Sequence, residues 1–530
     1  MKKLITLLLT FYLLISCAHD KGSMKQNKNN MVINKQLSDQ QAFQMLQKLM
    51  NEQSLTKAQA QNNLGHLYHE GRVIIRNDQK AFKWFKLSAE QGFAKAQYNL
   101  GFMYNNGQGV PQDSKEAVKW YKLAALQGDG NAQYNLGLMY SKGQGVLQDY
   151  KEALKWYTLA AEQGIVSAQY NLGLMYQNGQ GVPQDNKEAV KWFKLAALQG
   201  DANAQYNLGL MYQNGQGVPQ DNKEAVKWFK LAALQGDVNA QYNVGVMYAM
   251  GQGVPQDRKE TVKWFKLAAL QGDVNAQYNL GSMYNKGQGV PQDSKEAVKW
   301  YKLAAQKGYI SAQYKLGLMY DNGQSVPQDY KEAVKWYKLA ANQGYANAQY
   351  NLGSMYSNGQ GVSQDYKEAV KWYKLAAKQG DTSAQYNLGS MYSDGQGVPQ
   401  DYKEAVKWYK LAAQQGLADA QYNLGLMYSD GQGVQQDYKE AVKWYKLAAE
   451  QGYEYAQNNL GVMYATGQGV PKNLVYAYMW INLATHNNPA SAVKAKELFN
   501  KYMTKNQIAQ AQNLVTSCLK KKYHNCETQI

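Results

Sequence analysis

The chain has 530 residues, a formal net charge of +17, 45% hydrophobic and 12% aromatic content, a composition that excludes a disordered chain. Nine Pro beside 47 Gly exclude collagen-like or Pro-rich material; three Cys exclude a disulfide-dense scaffold or a zinc array; five scattered His leave little for a metal site. The charge comes from lysine. Only Arg72, Arg76 and Arg258 are Arg, whereas nucleic-acid sites favour the bidentate guanidinium. The Lys recur at regular spacing, as at Lys115, Lys119 and Lys122 beside Asp113 and Glu116. They read as solvated helix faces, and no nucleic acid partner is expected.

Residues 1–16 form a basic start (Lys2, Lys3) followed by an apolar run of 12 residues, Leu4 to Ile15. That run is too short to span a bilayer of about 30 Å and has the form of a secretory signal peptide. Its end, Leu14-Ile15-Ser16-Cys17, resembles the bacterial lipobox. The resemblance implies that Cys17 is lipidated and becomes the mature N-terminus. With Ala18 rather than Asp after it, sorting to the outer membrane is implied as well, so the membrane is a partner through the N-terminal lipid. Residues 17–36 read as the lipidated N-terminus and a flexible tether, rich in Lys and Asn. Residues 37–59 read as an N-terminal capping helix. Ser38-Asp-Gln-Gln41 has the pattern of a capping box, and Ala42, Phe43, Leu46, Leu49 and Met50 share an apolar face.

Residues 60–485 are one unit repeated twelve times. One Gly falls at 65, 101, 137 and onward to 461, always 36 apart, and all 12 Trp keep the same step from Trp84 to Trp480. In the copy 131–166, Ala132 to Tyr140 carries apolar or small residues at helical spacing and predicts a first helix. Gly143-Gln-Gly145-Val146 breaks it, since Gly tolerates the left-handed backbone of a helix end. Asp149 with Glu152 offers a capping box, and Ala153, Trp156, Tyr157, Ala160 and Ala161 form the stripe of a second helix that Gly164 stops. The expected fold is all-α, a right-handed α-solenoid, with Trp156 filling the gap between layers and each pair relying on its neighbours.

These residues resemble the Sel1-like repeat family, relatives of the tetratricopeptide repeat. They are A-x-x-x-L-G-x-x-Y, then G-x-G-V, then D-x-x-E-A-x-x-W-x-x-x-A-A with a closing Gly. The resemblance implies a non-catalytic scaffold that binds protein or peptide ligands along its first helices. Departures are few. Gly71 to Arg76 replaces the first glycine loop, Ser325 stands where Gly is expected, and Leu147, Ser363 and Gln435 replace the loop Pro. Residues 486–530 read as C-terminal capping helices, Ala490–Met503 and Lys505–Lys521, and a tail. Thr504 and Gln507 suit a cap, and Ile508, Ala511, Val515 and Cys518 share one face. Cys518 and Cys526 stand eight positions apart. Either they form a disulfide tying the tail to the last helix, or Cys518 is buried and Cys526 free.

Signals of chemistry are weak. G-Q-G-V occurs ten times and follows a helix, so it reads as a turn rather than a phosphate cradle. S-x-x-K occurs at Ser54–Lys57, Ser491–Lys494 and Ser517–Lys520 without an accompanying K-T-G. The Helicobacter cysteine-rich relatives, credited with β-lactamase activity, carry paired Cys in each repeat that this chain lacks. His66 and His69 have no third ligand and read as surface polar residues, so no metal, small-molecule cofactor or catalytic residue is expected. Partner binding is expected on the first helix, where Asn135, Asn171, Asn207, Asn243, Asn279, Lys315 and Asn351 recur as a row of outward amides. The alternative is that these Asn merely fix the helix turn. Specificity would come from the position after the recurring Gly, as at Leu138, Leu174, Leu210, Val246 and Ser282. The rival functions are a cell-envelope hydrolase of the β-lactamase-like type and a peptidoglycan-binding structural protein.

Overall fold

The computed structural model describes residues 55–71, 74–486 and 499–527, with residues 41, 44, 47 and 497 singly. Cys17, the tether, and most of the expected N-terminal cap and of Ala490–Met503 lie outside the described residues. Among the described residues every regular element is a helix, and the chain is an all-α solenoid of paired helices. It divides into two compact units, residues 1–267 and 268–530. Within each, the principal contacts run between helices adjacent in sequence.

One repeat explains the rest. The first helix runs Gly130–Lys142 and ends on Gly143, whose φ of 68° is left-handed. The loop is then tied back to that helix by Asp149 N–H donating to the Tyr140 carbonyl at 3.0 Å and Gln148 Nε2 donating to the Ser141 carbonyl at 2.8 Å. Asp149 caps the second helix, Tyr150–Glu162, by accepting from the N–H groups of Lys151 and Glu152. The expected reciprocal bond from Glu152 is not made. Its carboxylate reaches forward to Trp156 Nε1 at 3.1 Å and Lys155 Nζ at 3.5 Å, because both lie on the next turn of the same face. In the first repeat Ile74 is buried and Asn77 N–H still closes the loop on the Tyr68 carbonyl, so a different loop keeps the same geometry.

The boundary expected at residue 59 falls inside a helix, Lys57–Glu70, which a genuine capping box of Thr56 and Gln59 starts. Toward the other end, Thr504 and Gln507 form the expected box for Lys505–Lys520, and Ala511, Val515 and Cys518 are buried. Cys518 and Cys526 are joined by a disulfide.

The core is a series of small clusters. Ala117, Tyr121, Ala124 and Ala125 of one second helix meet Ala132, Leu136 and Met139 of the next first helix, and Trp156 of the following second helix closes the cluster. Ten of the 12 Trp are buried; Trp84 and Trp120 are half-buried. The polar residue that recurs in this interior is a glutamine. Gln133 is 4% exposed, donates to the Ala125 carbonyl of the preceding repeat at 3.1 Å, and accepts from Gln163 at 2.8 Å. The same bonds recur at Gln169 and Gln205 in the first unit and at Gln349 and Gln385 in the second.

The second Gly of the loop has no room for a side chain. A Cβ on Gly217 would run into the Asn186 carbonyl of the preceding repeat. Ser325 occupies the same repeat position with a φ of 73°. A left-handed backbone costs a non-Gly residue roughly 1–2 kcal/mol. Ser325→Gly is therefore expected to stabilise its surroundings by about 1 kcal/mol, read as slower hydrogen exchange over residues 310–330. Gly217→Ser should loosen residues 186–217 by more than that, and equal protection in the two variants would contradict the account.

Candidate protein-interaction surface

Each repeat shows two faces. On the first helix, the recurring Tyr lies half-buried with its ring against an aromatic ring of its own repeat's second helix. The centroid distance is 5.9 Å for Tyr98–Tyr121, 5.7 Å for Tyr206–Phe229 and 5.8 Å for Tyr350–Tyr373. Burial pushes the second-helix hydroxyls up, with Tyr157 and Tyr373 at about 12 while hydrogen bonds with Ser141 and Ser354 pull the other way. They stay protonated donors at physiological pH.

The asparagine row is half-buried rather than fully outward. Its amides meet the tyrosines of the preceding repeat. Asn135 bonds Tyr98, Asn207 Nδ2 donates to the Tyr170 hydroxyl at 3.4 Å, Asn243 bonds Tyr206, and Asn351 bonds Tyr314 and Tyr337. Asn171 bonds the Tyr157 hydroxyl. Asn279 and Lys315 occupy the same half-buried place. An amide has more donors and acceptors than these bonds use, so the row both ties repeats together and keeps capacity toward solvent. Beside it, Leu138, Leu174, Leu210, Val246 and Ser282 are part-exposed, as expected.

On the second helix, Lys155 sits 5.0 Å from the centroid of the Trp156 ring while pairing with Glu152, and Lys227, Lys335 and Lys407 repeat the arrangement. Further exposed Lys, such as Lys223 and Lys367, carry the positive balance on this face. The buried Gln and the pairing of Glu with Trp had no sequence reading. Their signal was present, since both recur at the 36-residue step.

His66 and His69 are half-buried, not surface residues. With Phe85, Tyr98, Asn99 and Phe102 they line a cleft of about 200 Å³ between the first and second repeats. Asn99 Nδ2 lies 3.0 Å from His66 Nε2, and His69 Nδ1 lies 2.8 Å from Asp78. Desolvation first, then the neighbouring His69 and Lys95, lowers the His66 pKa to about 4. Among the described residues no group of three His, Cys, Asp or Glu could hold a metal ion. Of the S-x-x-K pairs, Ser517 and Lys520 lie on the terminal helix, Lys520 exposed; Ser54 and the pair at 491–494 lie outside the described residues.

A sequence profile described as the Sel1 repeat matches residues 58–93, 94–129 and so on in unbroken steps to 454–488, twelve matches in all. A crystal structure of c5321, a protective antigen of uropathogenic Escherichia coli strains displaying an SLR fold, is similar at 36% identity. It covers 85% of this chain and 98% of its own, with a TM-score of 0.69. A Sel1 repeat protein from Oxalobacter formigenes is 35% identical, covering 62% of this chain and 93% of its own at a TM-score of 0.48. Helicobacter pylori cysteine rich protein B is 25% identical over 24% of this chain and 92% of its own, at a TM-score of 0.21. No curated protein matches the chain.

A buried His with a depressed pKa binds its proton more readily in the unfolded chain, so stability is complete above the unfolded value near 6.5 and falls as pH drops toward about 4. Protection factors over residues 58–93, taken against the intrinsic exchange rate at each pH, are therefore expected to fall between pH 6.5 and 4.5. In His66→Leu, whose side chain other repeats carry at this position, that pH dependence should be much reduced; an unchanged profile would count against the assignment.

Proposed function

The chain belongs to the Sel1 repeat family, whose solenoids are in general protein-interaction scaffolds, and from that premise we propose that it captures protein or peptide partners on its first-helix face in the bacterial cell envelope, held there by lipid on Cys17. The observation that carries the reading is the column of half-buried Tyr and Asn, with part-exposed Leu, Val and Ser beside it, repeated at a constant step within each unit. Tyr presents large area with little side-chain entropy to lose, and amides with spare capacity accept an extended backbone. This face carries few charges, so affinity here rests on shape, apolar contact and hydrogen bonds rather than ion pairs. The envelope location rests on the lipobox at Leu14 to Cys17 and the signal-like run before it.

Two measurements test this. Ser is native at the variable position in Ser282, Ser354 and Ser390, so Leu138, Leu174 and Leu210 can be changed together to Ser without breaking the fold. A photo-reactive residue at Tyr206 is expected to crosslink a discrete envelope protein in intact cells, one placed at Pro219 on the loop is not, and the triple Ser variant should lose most of the Tyr206 adduct with its melting temperature nearly unchanged. Equal crosslinking from Tyr206 and Pro219 would refute the face. For the anchor, Cys17→Ser is expected to abolish labelling by a palmitate analogue and leave precursor or soluble protein; retained labelling would refute lipidation at this residue.

A further inference from the structure

A buried indole N–H needs an acceptor; some repeats supply it from their own Glu, some leave it unmet, and the last takes it from elsewhere in the chain. Trp156, Trp264 and Trp372 donate to the Glu four residues earlier, at 3.1, 2.9 and 3.2 Å. Trp228, Trp336, Trp408 and Trp444 are 5–7% exposed, yet their Nε1 has no partner among the described residues. The Glu pairs with the Lys one turn on in both sets, as in Glu224–Lys227 at 3.3 Å and Glu260–Lys263 at 3.1 Å, but in the second set it does not also reach the indole.

The last repeat is the third case. Tyr476 stands where that Glu recurs, and Trp480 takes its acceptor from the C-terminal tail instead. Glu527, 14% exposed, accepts from Trp480 Nε1 at 3.0 Å and from Lys446 Nζ at 2.5 Å, with the Tyr464 hydroxyl beside it. The Tyr476 hydroxyl donates to the Glu527 carbonyl at 2.8 Å, and the neighbouring Cys526 is held to Cys518 by the disulfide. A polypeptide segment thus fills the last groove between second helices, its carboxylate held by one Lys and one Trp with a Tyr hydroxyl beside it.

The same three residue types recur at the same repeat positions throughout most of the array. Seven repeats earlier they are Lys194, Tyr212 and Trp228, and there the groove is open, about 580 Å³ in volume and flanked by Leu198 and Leu231. Its charge is incomplete. Lys194 and Lys227 face one carboxylate, Glu224, whereas at the last repeat Lys446 is matched by Glu527. The open groove is short of one negative charge and one acceptor. At Trp264, by contrast, Glu260 satisfies the indole and Lys230 donates to Tyr248 at 2.7 Å, which closes the equivalent site.

We propose that the groove at Lys194, Tyr212 and Trp228 binds an acidic peptide segment, whose Glu or Asp carboxylate takes the place on the lysine and the indole that Glu527 holds at the last repeat, and that the grooves at Trp336, Trp408 and Trp444 repeat this site. The tail supplies the template for how a chain lies there, and the flanking leucines favour apolar residues beside the acid. The site lies between two successive second helices, with Tyr212 from the end of the first helix between them, and its chemistry does not depend on the binding proposed for the first-helix face. Several such grooves on one chain would suit a partner with spaced acidic segments, since linked sites bind by effective concentration.

The test uses the full chain with its tryptophan indoles labelled with nitrogen-15 and a capped peptide of alternating Glu and Leu. A saturable shift of the Trp228 indole N–H is expected, weaker by tenfold or more for the matched Gln-Leu peptide. Lys194→Ala should abolish the Trp228 response and leave that of Trp408 intact, with the other indole resonances unmoved as evidence of folding. Leu138, Leu174 and Leu210 changed to Ser should leave the Trp228 response unchanged. Absence of a shift, an equal shift with the Gln-Leu peptide, a response confined to Trp480, or loss of the response in the Ser variant would each overturn the proposal.

Discussion

The first helix of each repeat carries one Gly at the point where an aromatic ring of the second helix lies flat on its backbone, and the rest of the structure hangs on that contact. A Cβ on Gly137 would stand 2.8 Å from the Tyr157 ring, and one on Gly209 2.6 Å from that of Phe229, closer than real carbon contacts allow. The close approach sets the spacing of the helix pair. It buries Ala132, Leu136 and Met139 on one side and Ala153, Ala160 and Ala161 on the other. The ring held down this way is also the ring on which the half-buried Tyr of the first helix rests. The candidate binding face is thus the outer layer of the same packing that makes the fold.

Apolar packing between alanine-rich helices is permissive about register, because one small side chain can replace another. The buried Gln removes that freedom. Gln169, 4% exposed, donates to the Ala161 carbonyl and accepts from Gln199, so a shift by one residue would leave a buried amide unpaired. An orphaned polar group of this kind costs roughly 1–3 kcal/mol, repeated at every junction so built. The glutamine adds little net stability but fixes which residues meet, and with them the column of Tyr and Asn.

The two faces differ in electrostatics for the same structural reason. A typical second helix such as Asn186–Leu198 exposes five residues, and Lys fills three of them, Lys187, Lys191 and Lys194, so much of the excess of 57 basic over 40 acidic residues accumulates there. Exposed pairs such as Lys299–Glu296 at 3.1 Å add little stability each. Their stems cover tryptophan, and the surplus cations give the face a preference for acidic partners. The first-helix face carries few charges, and the two surfaces are suited to different chemistries within one protein.

The helix pairs, their boundaries within a residue or two, the glycine turns and the tryptophan core are legible in the amino-acid pattern, because each is written locally in one 36-residue repeat and copied along the chain. The first and last repeats depart from that pattern, and there the boundary expected at residue 59 slipped into the helix begun at Thr56. Partners drawn from different repeats or distant segments are fixed by the fold instead. Asn207 meets Tyr170 across 37 positions, Gln133 meets the Ala125 carbonyl of the preceding unit, and Glu527 reaches Trp480 across 47. A list of one repeat's residues does not say which of its polar groups face the next repeat and which face water. His66 shows the same limit, reading as a surface residue until Phe85 and Asn99 are brought against it. Burial is a property of what the neighbouring chain supplies, and that is settled only when the helices are stacked.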